Sequence, residues 1–297
     1  MREELISETG VPIEPEELAL LEESLQDLRI LEDQASFKLA RRNRRETILH
    51  AAADSFLEKL QVAINLGFAS GRKAIDKKKL RAALDDQDIE TASALLTNVP
   101  DAIEGVLKEV LPKTLVRIFI AGGQAGLDIL QRQLRVAESE PKFRSAFIRL
   151  KFDAADPNVV KWARQHGAKL AKDLSDTTRH DIADALVRGF EDGDLRELYD
   201  DVLGAVGDET RAALIARTEV MTAANAGQRE SWSQAVEDGL LSGDEKKTWI
   251  ATTDERLCPE CEALDGTTAD IDGEYPDPGG EGPPLHPNCR CTEGIIG

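Results

Sequence analysis

"ETRAALIARTEVMTAANAGQRESWSQAVEDG", residues 209–239, is the stretch whose reading decides the fold. Asp208 stands where a helix N-cap belongs and Gly239 where a helix ends, so the punctuation predicts one long helix, with Gly227 as a candidate break. Within it Arg217 and Glu219 are two residues apart and cannot face each other. Arg217 is expected to reach an acidic group elsewhere, Asp254 or Asp265, and Glu219 to pair with Arg256; the bland alternative is independent solvated charges.

Upstream, the helical texture continues. "SDTTRHDIADALVRGFEDGD" puts Ile182, Leu186 and Phe190 four residues apart, Gly193 ends that run, and Asp194 with Glu197 forms a capping-box pattern for the next. Asp156-Pro157 opens a helix carrying Val160, Trp162 and Ala163. Residues 137–158 lack periodicity and hold two prolines, which places a domain boundary there: a helical region over 1–150 and a second domain over 158–297. Residues 101–134 read as helix broken at Pro112 and at Gly122-Gly123. No GK[ST] follows the glycine pair, so it marks close helix packing or a bend rather than a phosphate loop. One or two short helices are expected over 76–98. Ile48, Ala52, Phe56, Leu60 and Ala63 form an apolar stripe, and Leu18, Leu21, Leu25 and Leu28 form the seam of a helical hairpin or coiled coil. Between these lie Arg41, Arg42, Arg44 and Arg45, either a solvated helix face or an electrostatic contact to a partner or to DNA.

Downstream of Gly239 the texture changes. "KTWIATTDERLC" is a short β-prone run, and the chain beyond it is dense in glycine and proline from Gly266 to Pro284. Such a segment cannot bury a conventional core and needs a staple. The fold class is therefore mainly α, with long N-terminal helices, a helical C-terminal domain, and a small clasp rich in β-structure and turns.

Composition narrows the function classes. The chain of 297 residues carries 37 basic and 56 acidic side chains, a net charge of −19, which argues against a general nucleic-acid binder and suits a chain that meets a basic partner. Aromatic residues are scarce, at 13 of 297, so helix packing falls to Leu, Ala, Ile and Val. No apolar run is long enough for a membrane span and no signal peptide is seen, so cytosolic synthesis is expected.

All four cysteines fall in "LCPECEALDG" (257–266) and "LHPNCRC" (285–291). Cys258 and Cys261 have the spacing of a metal knuckle, and His286, Cys289 and Cys291 offer a second group of donors. That makes five candidates where tetrahedral zinc takes four: Cys258, Cys261, Cys289, and either His286 or Cys291. Zinc would supply the missing staple, because metal affinity becomes folding energy in sites of this kind. The alternatives are two disulfides across the loop, or free buried thiols. A deaminase centre lacks its H-x-E element, and a nuclease centre lacks a second histidine. His50, His166 and His180 fall on expected helices and read as surface or core. No catalytic triad, P-loop or dinucleotide fingerprint stands out.

Three separated blocks then carry a resemblance. The helix with Ala216, Arg217, Thr218, Glu219 and Asn225 comes first. Trp249, Asp254, Arg256, Cys258, Cys261, Leu264, Asp265 and Gly266 come next, and His286, Pro287, Cys289, Arg290 and Cys291 close the order. Over about 158–297 this resembles the Mu F-like head morphogenesis family, the minor head proteins of tailed phages. The resemblance implies a structural protein without catalytic residues, contacting the portal protein or the major capsid protein. It implies low copy number or an oligomer in the virion head near the portal, with assembly in the host cytoplasm. Effects on head assembly, DNA packaging or ejection, including contact with packaged DNA, are implied too. The competing reading is an enzyme in the C-terminal domain: a metal-dependent nuclease, or an ADP-ribosyltransferase-like transferase with Glu219 as the acid.

Overall fold

The computed structural model describes residues 48–136, 151–192 and 195–296. The leucine seam from Leu18 to Leu28 and the arginines Arg41 to Arg45 lie outside the described residues.

Among the described residues eight helices and three strands run in order: α1 (48–74), α2 (Lys77–Asp85), α3 (Ile89–Leu96), α4 (Val99–Val136), α5 (Pro157–Asp192), α6 (Leu195–Ala205), α7 (Glu209–Glu237), β1 (Lys246–Ile250), α8 (Pro259–Leu264), β2 (Thr268–Asp270) and β3 (Thr292–Ile296). The mainly helical class with a small C-terminal sheet is as expected. In α1 the fully buried line runs through Leu49, Ala53, Leu60, Ile64 and Phe68, while Ile48, Ala52 and Phe56 of the expected stripe pack at its margin. Among the described residues no helix is long and apolar enough to cross a membrane.

Asp208 caps α7 as expected, its Oδ1 accepting from the Arg211 N–H at 2.8 Å. Gly227 does not break α7, nor do Pro112 and Gly122-Gly123 break α4, which runs unbroken for 38 residues. Tertiary packing overrides both local penalties. The proline ring faces Gly167 of α5, where an added Cβ would come within 3.1 Å of Pro112 Cγ, and the flanking Leu111 and Leu115 are fully buried. The glycines let two backbones touch: a Cβ on Gly122 would sit 2.2 Å from the Ala224 carbonyl oxygen, and one on Gly227 would sit 1.9 Å from that of Phe119. Gly122 and Gly227 are thus the close-packing device of an α4–α7 crossing, and Gly123 makes room for the Phe152 ring; the pair does not mark a bend.

Among the described residues the packing runs across the stretch where the domain boundary is expected. One core draws Leu49, Ile64, Leu80, Ile103 and Leu115 from the first half and Ala163, Leu174, Val202, Ala216 and Ala224 from the second. α4 lies against both α5 and α7, so its apolar face is covered by elements from both sides of the expected boundary between 1–150 and 158–297.

The sheet has order β2-β1-β3, antiparallel throughout, with Thr248 opposite Thr268 on one side and opposite Gly294 on the other. It carries the clasp on the flank of α7.

Candidate metal centre

β1 delivers Trp249 into a small separate core with Cys261, Leu264, Tyr275, Cys289 and Cys291. Trp249 meets Tyr275 edge-on at 5.3 Å. After β1 the chain turns back through 252–257, and Cys258 becomes the N-cap of α8, its Sγ accepting from the Cys261 N–H at 3.3 Å. This is the knuckle read from the C-x-x-C spacing: one short turn of helix aims both sulfurs the same way. The Asp265 carboxylate accepts from the Ala251 N–H at 2.8 Å, and the Gly266 N–H donates to the Trp249 carbonyl at 3.0 Å. Together they close the knuckle on the strand. Gly266 holds φ +77°, which explains a glycine after Asp265.

The second arm folds onto the first. His286 Nε2 lies 3.1 Å from Cys258 Sγ and 3.3 Å from Cys261 Sγ, and Cys261 Sγ lies 3.7 Å from Cys289 Sγ. Cys258, Cys261 and His286 form one compact triad, and Cys261, Cys289 and Cys291 a second, each with its donor atoms within 4.8 Å of one another. All five expected donors therefore converge, with Cys261 shared. Tetrahedral zinc with bonds of about 2.3 Å to sulfur and about 2.0 Å to nitrogen has ligand–ligand edges of roughly 3.5–3.8 Å, the scale seen here. The donors line, with Thr252, Arg256 and Arg290, a small half-open cavity of about 20 Å³, room for one ion. No cysteine is in a disulfide.

The electrostatics reflect how tightly the thiols are crowded. Hydrogen bonding from the Cys291 thiol brings Cys289 down to about 5, while burial and the neighbouring Cys258 push Cys261 up to about 12. Cys291 is raised by its bond to Cys289 and then by burial. Burial opposes the Cys258 thiolate, but the Cys261 N–H, the Cys261 side chain and His286 outweigh it and lower that thiol. His286 is raised, first by the Pro287 carbonyl, which Nδ1 contacts at 2.9 Å. With Nδ1–H donating there, the Nε2 lone pair faces the sulfurs, the usual orientation of a metal-bound histidine. The two triads thus fit a structural zinc ion, held by four of Cys258, Cys261, His286, Cys289 and Cys291. Such an ion would neutralise crowded thiolates and tie the two arms together.

The remaining expected residues build the frame. Asn225, at the centre of α7, donates Nδ2–H to the Cys291 carbonyl at 3.2 Å and accepts from Thr292 Oγ1 at 3.0 Å. Asp254 does not meet Arg217. Its carboxylate takes a bidentate bond from the Arg290 guanidinium and a 2.9 Å bond from the Arg256 N–H, which hold it well below the usual carboxylate range. Arg217 is exposed and pairs with neither Asp254 nor Asp265. Glu219 pairs not with Arg256 but with His166 Nε2, at 2.6 Å, and that imidazole stacks on Trp162. Arg256 instead lies 3.8 Å from Asp254. Two residues apart on α7, Arg217 and Glu219 face different neighbours, and the fold rather than the helix selects Glu219's partner.

Other contacts have no counterpart in the sequence reading. Gln228 donates to the Glu293 carbonyl at 3.3 Å, one turn after Asn225, so two amides of α7 cover the outer edge of β3. Arg229 and Lys247 converge on the fully buried Glu293 carboxylate. The period-two rule held a signal here, since it places Lys247 on the face of Trp249. His50 Nε2 lies 2.9 Å from the Arg290 carbonyl, tying α1 to the clasp between two of its cysteines.

Residues 177–293 match the family described as Phage Mu protein F like protein. The matched span begins within α5, ends in β3 and contains every donor of the cluster. No curated protein and no solved structure matches the chain.

Proposed function

We propose, from the membership of residues 177–293 in the phage Mu protein F-like family, that the chain is a structural minor head protein of a tailed phage or prophage. It acts in head assembly, DNA packaging or DNA ejection and resides in the virion head near the portal, with the portal protein or the major capsid protein as partner. The family match carries the reading. The clasp supports it: five protein donors crowd one small cavity, and α7 and α1 brace it through Asn225 and His50. This is how a structural zinc site is built, with its coordination closed by protein. Glu219, the acid of the competing enzyme reading, is engaged by His166, which suits a brace between α5 and α7.

The test is a phage or prophage in which the gene is deleted and then supplied in trans. Heads that are malformed, or that package or deliver DNA poorly, are expected, with rescue by the intact gene. Normal particle yield and infectivity after deletion would refute the reading.

A further inference from the structure

We propose that the corner between α1 and α2 is a docking surface for the phosphate backbone of duplex DNA. Residues 72–81 hold Arg72, Lys73, Lys77, Lys78, Lys79 and Arg81 against the single acid Asp76, in a chain whose net charge is −19. All of these cations except Arg72 are exposed. Arg72 instead donates to the Gly207 carbonyl and pins the corner to the turn before α7, so the patch stands on a rigid platform. Lys79 pairs with Asp76 at 3.5 Å; among the described residues no carboxylate lies within ion-pair distance of Lys73, Lys77, Lys78 or Arg81.

The placement runs against helix stability. Lys77, Lys78 and Lys79 occupy the first turn of α2, where the helix dipole disfavours cations, and only the Asp76 cap offsets them. A polyanion laid across the corner would reverse the sign of that cost. Three observations select the kind of polyanion. Ile75 and Leu80 are buried, leaving Ala74 and Ala82 as the exposed apolar residues of the corner, whereas protein interfaces are depleted in lysine and depend on apolar or aromatic anchors. Among the described residues no exposed aromatic ring is available for unpaired bases to stack on, since Tyr199 is half-buried with the Arg81 guanidinium 4.5 Å over its face. Flexible lysines without side-chain amides among them suit backbone contact rather than base readout.

The inference does not rest on the head-protein reading, and its test needs no particle. Binding of the purified full chain to a labelled duplex of about 30 base pairs is measured by fluorescence anisotropy between about 25 and 200 mM salt. Weak, sequence-independent binding is expected, with log K falling against log salt at a slope of about −4.5 for five exposed cations. The combined Lys73→Gln, Lys77→Gln, Lys78→Gln variant should bind more weakly, with a slope shallower by about 3, and the corresponding Lys→Arg variant should retain binding. Circular dichroism and a melting temperature no lower than the parent's identify folded variants, since removing cations from the first turn of α2 relieves the dipole cost. A variant with Arg41, Arg42, Arg44 and Arg45 changed to Gln is measured alongside. Absence of binding at the lowest salt, an unchanged slope in the lysine variant, loss of the slope only in the arginine variant, or tighter binding to a single strand would each overturn the proposal.

Discussion

Gly227→Ala probes the contact on which the clasp depends. The added methyl would sit 1.9 Å from the Phe119 carbonyl oxygen and 2.8 Å from the Gly123 nitrogen. Both neighbours are backbone, so no rotamer change relieves the overlap. Bringing the closest contact to at least 3.0 Å requires α4 and α7 to part by roughly 1 Å. A gap of that size forfeits a quarter to a half of the dispersion energy of the contacts along the crossing, about 0.1–0.2 kcal/mol each. With some 20 such contacts and the strain of overpacking, the net loss is on the order of 3 kcal/mol, against which reduced freedom of the unfolded chain returns less than about 1. Because Asn225 and Gln228 flank this position and hold β3, the clasp should loosen as well. Gly204→Ala is the matched control: it is helical, with nothing within 4 Å of the added carbon, so it should stabilise by about 0.5–1 kcal/mol. Urea denaturation of both variants, with zinc retention read by elemental analysis, makes the comparison. Gly227→Ala within about 1 kcal/mol of the parent would refute the claim that backbone contact sets the α4–α7 distance.

Purified protein should carry close to one zinc per chain, and chelation should deprotect amides of 246–296 in hydrogen exchange while sparing α4 and α5; a metal-free protein whose thiols all titrate in the native state would count against this. Acid should release the metal, because protons compete for the thiolates and for His286, and a zinc content indifferent to pH down to about 4 would contradict the donor set. Asp254 has a carboxyl depressed by Arg290. Its contribution is fully present above the usual aspartate range and is lost as pH falls through the depressed value, so Asp254→Asn should flatten the acid limb of the stability curve, measured by urea midpoints from about pH 6 to 3. Asn225→Ala leaves the buried Cys291 carbonyl without its donor and should cost about 1–3 kcal/mol, with faster exchange in β3; unchanged exchange there would show that the amide is not what holds the strand.

The sequence by itself determined the helical class, the Asp208 cap, the β-prone run after Gly239 and the five donors of the clasp. These are local matters. A cap, a period of 3.6 and a C-x-x-C knuckle each act within a few residues, and the Gly/Pro-rich stretch beyond the knuckle announces its need for a staple by composition. The three-block order around Arg217, Cys258 and His286 likewise needed no coordinates. Only the tertiary structure decided that Pro112, Gly122-Gly123 and Gly227 sit inside unbroken helices, because the packing that offsets their local penalties comes from helices distant in sequence. Only the structure gave Glu219 to His166 and Asp254 to Arg290 rather than to the partners expected for them. Several cations in the chain could satisfy each carboxylate, and the choice belongs to whichever element the fold brings alongside. The shared core across 150–158 arises from the same physics: an aperiodic, proline-bearing stretch marks where the chain leaves a helix, while the faces that must be buried against each other are set by long-range packing of α4 on α5 and α7.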